Sequence, residues 1–145
     1  MIFQDYQEHK HTELTEKIIN AAFEVHKTIG PGFEREVYLK ALKLALDARK
    51  LKYDDAKKVQ MKFNKKLIGS FQPDLIVEGK VLLYITHISG MIEDYLRSYV
   101  ISYLKACEME VGLLLNFGND NLDIRRLSHY KDAEKQADFE KKRAK

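Results

Sequence analysis

Asp74 follows Pro73, and Glu78 and Lys80 come four and six residues later. Two carboxylates and an amine are a donor set for metal-assisted hydrolysis. Hard oxygen ligands hold Mg²⁺, and a lysine orients water or meets charge building on a phosphate. The spacing tells against this trio. Four residues along a strand span about 13 Å, too far for shared coordination, and Glu78-Gly79-Lys80 has the composition of a solvent-facing hairpin turn. Glu34 and Glu36 are further acids near the start of a helix. His26 stands near the end of another helix, where it either meets a phosphate or metal or packs against its surroundings, the commoner fate of such a histidine. His87 and Ser89 follow an apolar strand and form either a small polar site or an ordinary loop. No His, Cys, Asp or Glu cluster has zinc-like spacing, and Cys107 reads as packing before it reads as a nucleophile.

Tyr95, Tyr99 and Tyr103 recur every four residues. Bases stack on such rings, but a stripe that merges with Ile92, Leu96 and Val100 reads first as core or subunit interface. The C-terminus ends Lys141-Lys142-Arg143-Ala144-Lys145. That run can bind nucleic acid, yet Asp132, Glu134, Asp138 and Glu140 dilute it, so a solvated or partner-docking helix is the plainer reading. The net charge of +3 permits nucleic-acid contact without requiring it.

The elements that must position these residues follow from periodicity. Residues 1–11 form a polar leader without the apolar segment of a signal peptide. Thr12 is placed to cap a helix over 12–29, with Leu14, Ile18, Ala21, Ala22, Val25 and Ile29 on its apolar face. Gly30-Pro31-Gly32 ends it. A second helix over 34–50 turns Val37, Ala41, Leu44, Ala45 and Ala48 inward. Alternation then predicts strands near 57–63, 67–77, 80–86 and 110–117, with a last edge strand over 122–127. Val81 to Ile85 is nearly all apolar, as a central strand should be. A third helix covers 91–107. The expectation is an α/β (α+β) single domain over 12–130, a mixed central sheet flanked by helices, with 131–145 as a charged C-terminal helix or tail. One cysteine excludes an intrachain disulfide and fits a cytoplasmic setting. No stretch approaches the roughly 20 apolar residues of a membrane span, so no membrane partner is expected.

Three stretches resemble the GxxExxY family of PD-(D/E)XK nuclease-like proteins. They are Glu24 to Gly32 followed by Val37-Tyr38, then Pro73 to Val77 before a tight turn and apolar strand, and Ser102 to Lys105 leading into Gly112 to Phe117. Together they cover about seven tenths of the chain in the family's order. The resemblance implies a restriction-endonuclease-like fold and metal-dependent nuclease ancestry. It also assigns positions. The signature glycine is Gly32 and its tyrosine is Tyr38, but the glutamate between them falls on Arg35. The metal-binding aspartate is Asp74. The glutamate and lysine of the next strand fall on Tyr84 and Thr86, and the glutamine of the third helix falls near Tyr99. A neutral phenol is a poor Mg²⁺ ligand and threonine brings no positive charge. These departures point to a non-catalytic module that binds a protein partner, itself or nucleic acid, and that needs no cofactor. The alternative is a nuclease that binds Mg²⁺ through rearranged acids, Glu34, Glu36 and Asp74. The resemblance further places the Arg35 guanidinium beside Asp74, against the simpler outcome that Arg35 points to solvent.

Overall fold

Helical spacing from Leu14 onward yields α1, Thr12–Ile29. Residues 10–130 are described in a computed structural model; most of the leader and the whole tail, with Lys141, Lys142 and Arg143, lie outside the described residues. Thr12 is the first helical residue and no side chain caps α1. Its carbonyl instead accepts a hydrogen bond from Thr15 Oγ1 at 3.0 Å. Gly30, at φ 81°, turns the chain out of the helix, a conformation glycine adopts without strain.

The second helix, α2, covers Arg35–Ala48. Its inward face is not the expected one. Tyr38, Leu39, Leu42, Ala45 and Leu46 are buried, while Val37 is 40% and Leu44 is 70% exposed. One residue along a helix is about 100° of rotation. The stripe through Tyr38, Leu42 and Leu46 carries more apolar area, so it takes the core.

Five strands make the main sheet: β1 (Tyr53–Asp54), β4 (Leu75–Val77), β5 (Val81–Thr86), β6 (Val111–Asn116) and β7 (Asp123–Ser128), in the order β1-β4-β5-β6-β7. Only the β5–β6 pair is parallel; the others are antiparallel. Glu78 and Gly79, both at positive φ, make the tight turn between β4 and β5. Two expected strands are placed differently. Residues 59–63 and 66–71 leave the main sheet and pair only with each other, as hairpin β2 (Val59–Phe63) and β3 (Lys66–Phe71). The predicted strand 67–77 breaks around Pro73, which has no N–H to donate to a ladder, and only its last three residues join the main sheet.

The third helix, α3, covers Asp94–Cys107, three residues later than expected, with Met91 fully in the loop and 86% exposed. It packs Leu96, Val100 and Leu104 with Ile92 against Leu82, Leu114 and Leu127 on one face of the sheet. Helices α1 and α2 cover the other face, over Val81, Leu83, Ile85, Val111, Leu113 and Leu115. Tyr95 and Tyr99 are not core residues; they are 53% and 48% exposed, because Leu96 and Val100 already fill the inward face. Among the described residues no helix is long and apolar enough to cross a membrane.

Among the described glycines Gly118, just after β6, leaves the least room for a side chain. A Cβ there would meet the Ile88 carbonyl oxygen and lie 2.5 Å from that of His87. Gly118→Ala is expected to cost about 1–3 kcal/mol, whereas Gly69→Ala, with nothing nearby, leaves the denaturation midpoint within error. Chemical denaturation of both variants checks this.

Candidate functional site

Strand β4 begins at Leu75, paired with Leu83 of β5. Continuing the register places Asp74 across from Tyr84. Beyond that pair β5 has lost its β4 neighbour, so the Ile85 N–H needs another acceptor. Asp74 supplies it: Oδ2 accepts that hydrogen bond at 2.7 Å. Its other oxygen, Oδ1, is held by Arg35 Nη2. Arg35 sits at the first turn of α2 and also donates through Nη1 to Glu36 Oε1 at 2.7 Å. One guanidinium therefore bridges two carboxylates. The Asp74 side chain is only 16% exposed and that of Arg35 34%, so this pair is screened less than a surface ion pair. Glu34 occupies the N-cap position of α2 and makes no side-chain cap.

Tyr84 and Thr86 alternate on β5 with Ile85 and share the face that looks toward α3. Tyr84 is half-buried, and its ring centroid lies 5.8 Å from that of Tyr103. Burial, then the neighbouring Tyr103, Asp74, Tyr99 and Tyr95, push its phenol above the ordinary tyrosine range. Tyr95 and Tyr99 meet edge-on at 5.3 Å, and Tyr103 also packs at 4.8 Å on Phe71 of β3. Tyr84, Tyr103 and Phe71 thus form one aromatic array, and Tyr95 and Tyr99 form a separate pair. Phe71, which links the array to the hairpin, carried no signal in the sequence beyond strand alternation.

Tyr38 is fully buried and structural in its contacts. Its hydroxyl donates to the Gly30 carbonyl at 2.7 Å and accepts from Phe33 N–H at 3.2 Å, while its ring stacks on Phe117 at 4.8 Å. It pins the Gly30-Pro31-Gly32 turn onto the end of β6. His26 does the same for the following loop: Nε2 donates to the Asn119 carbonyl at 2.7 Å, so this nitrogen is turned inward. The Asn119 side chain in turn holds both N–H and C=O of Gly90 at 2.7 Å. This clamp was not legible beforehand, since asparagine in a glycine-rich turn is ordinary. His87 is exposed at the end of β5 and stands apart from these contacts. Glu78 accepts from the Lys52 N–H at 2.8 Å across the β1 edge, which accounts for it without Asp74.

The donors around Asp74 are already paired with one another. Both oxygens of Asp74 are committed, Glu36 reaches only the shared guanidinium, and Tyr84 holds its proton more firmly than a free phenol. Among the described residues no three His, Cys, Asp or Glu side chains gather into one cluster.

A five-stranded mixed sheet with a helical pair on one face and a single helix on the other is the architecture of restriction-endonuclease-like proteins. The chain belongs to the PD-(D/E)XK nuclease superfamily, whose family model matches residues 12–127. No curated protein matches it. The crystal structure of SSO0001 is similar in fold, with a TM-score of 0.53 at 15% identity, covering 89% of this chain. This chain spans 65% of the length of that one.

The raised Tyr84 phenol sets a pH dependence. The folded state keeps this proton where the unfolded chain, with tyrosine near 10, releases it. Its contribution is therefore intact below about pH 10 and is lost as pH rises through the folded value. Stability measured from pH 9 to 12 should fall less steeply for Tyr84→Phe than for the parent chain, and ultraviolet titration should lose one late-ionising tyrosine.

Proposed function

We propose that this chain is a non-catalytic binding module of the GxxExxY type, built on a PD-(D/E)XK nuclease scaffold. The observation that carries the reading is the Arg35 guanidinium lying between Asp74 and Glu36, at the sequence position where the family signature has a glutamate. A fixed organic cation takes the charge-balancing role that a metal would otherwise fill. Arginine suits it because its planar donor array serves two carboxylates at once. With Tyr84 and Thr86 in place of an acid and a lysine, β5 offers neither a carboxylate ligand nor a cation to assist water. The module works without a cofactor, in the cytoplasm, through a macromolecular partner.

A second reading is favoured by the same bridge. Glu36 and Asp74 both reach one guanidinium, so displacing Arg35 would leave two acids near one another for Mg²⁺, with Glu34 close in sequence. Calorimetric titration with Mn²⁺, beside a nuclease assay on DNA and RNA with an Asp74→Ala control, separates the two. The module reading expects no metal binding at Asp74 and no cleavage. Metal-dependent cleavage abolished by Asp74→Ala would sink it and establish the second.

The ion pair also has a stability signature. Arg35→Ala leaves a poorly solvated carboxylate with one remaining donor, and should cost about 1–3 kcal/mol. Asp74→Asn should cost less, because its amide oxygen still accepts from Ile85 and Arg35 keeps Glu36. Equal and negligible losses in urea denaturation would show that Arg35 is a solvated surface residue.

A further inference from the structure

From residue 57 to residue 73 the chain carries Lys57, Lys58, Lys62, Lys65 and Lys66 and no acid. These five positive charges exceed the net +3 of the whole chain. Lys62 and Lys66 lie within β2 and β3, Lys65 at their turn, and Lys57 and Lys58 lead into β2. No further strand pairs with this hairpin among the described residues, so each strand keeps an open backbone edge. The base is anchored, with Val59 buried and Phe71 against Tyr103. The outer part is not: Phe63 is 67%, Leu67 61% and Ile68 63% exposed.

The register orders these side chains. Lys62 lies across from Leu67, and Phe63 across from Lys66. Cross-strand partners share a face, so each face at the tip pairs one lysine with one apolar group. We propose that the β2–β3 hairpin docks an extended acidic polypeptide segment carrying apolar side chains, which adds as a third strand. Main-chain hydrogen bonds to an open edge supply affinity, and acidic and apolar side chains on both faces of the added strand match the mixed faces of the tip.

Other occupants fit less well. A second copy would set one lysine cluster against another. A lipid surface calls for apolar groups gathered on one face, whereas here each face mixes them with lysine. Phosphate and base recognition leans on arginine forks, and the hairpin has none; its aliphatic Leu67 and Ile68 gain nothing from phosphates. The proposal names the partner class of the module described above and rests on that reading.

The test is a titration of the full chain with a short peptide of repeated Glu-Glu-Val-Val, which puts both residue types on each face of a strand, followed in amide NMR spectra at about 0.15 M salt. Shifts concentrated in residues 58–70 are expected. The Lys62→Glu, Lys66→Glu double variant should weaken binding on the order of tenfold or more, and Leu67→Ser should also weaken it. All three side chains lie away from the anchored base, so the melting midpoint should not move. Tighter binding by a short DNA strand or by phosphatidylserine vesicles at the same amides overturns the proposal. So does concentration-dependent shifting without ligand, or peptide shifts located elsewhere. A peptide that fails to bind while Mn²⁺ also finds no site overturns the docking alone; metal-dependent cleavage of nucleic acid overturns both readings.

Discussion

Strands β5 and β6 run parallel at the centre of the sheet, and their side chains are apolar on both faces. Such a pair cannot be left open to water on either side. Leu83 and Ile85 need a cover on one face, and Leu82 needs another on the opposite face. The helical pair α1 and α2 supplies the first and α3 the second. The layered architecture follows from this one requirement.

The position of Asp74 is a further consequence. Because β4 is short, β5 outruns it, and the Ile85 N–H emerges at a partly shielded place without a ladder partner. An unpaired buried N–H is costly. A carboxylate oxygen satisfies it, and the remaining oxygen then calls for a cation, which the start of α2 provides. Asp74 therefore has a structural task in this chain that is independent of any reaction. The tyrosines on the α3 side close the same neighbourhood with neutral rings, which add no charge to the partly dry region.

Much of the fold was legible in the sequence, because long periodic segments report their own burial. The span of α1 followed from helical spacing, the central place of β5 from its apolar run and the turn at Glu78-Gly79 from its composition. The misreadings have physical causes. Strand alternation over Val59 to Phe63 signals a strand but not its sheet, so the hairpin was joined to the wrong partners. The inward face of α2 was displaced because Val37 and Leu44 are as apolar as their neighbours, and only tertiary packing chooses Tyr38, Leu42 and Leu46. At the centre, the proximity of Arg35 and Asp74 came from the resemblance, since residues 39 positions apart carry no local signal. The bridge to Glu36, the Ile85 N–H and the Asn119 clamp depend on loop geometry that no short-range pattern encodes.

The separation of the β2–β3 hairpin from the main sheet divides the molecule energetically. Its backbone ladder ends with its own two strands, and its hold on the body is a few side chains around Val59, Phe71 and Tyr103. The central sheet shares no hydrogen-bond ladder with it. Opening the hairpin therefore exposes little of either core, and its amides can exchange with solvent through local opening while those of β5 and β6 wait for global unfolding. Sequence change at the tip is correspondingly insulated from the stability of the scaffold, so the surface there can diverge without endangering the fold that carries it.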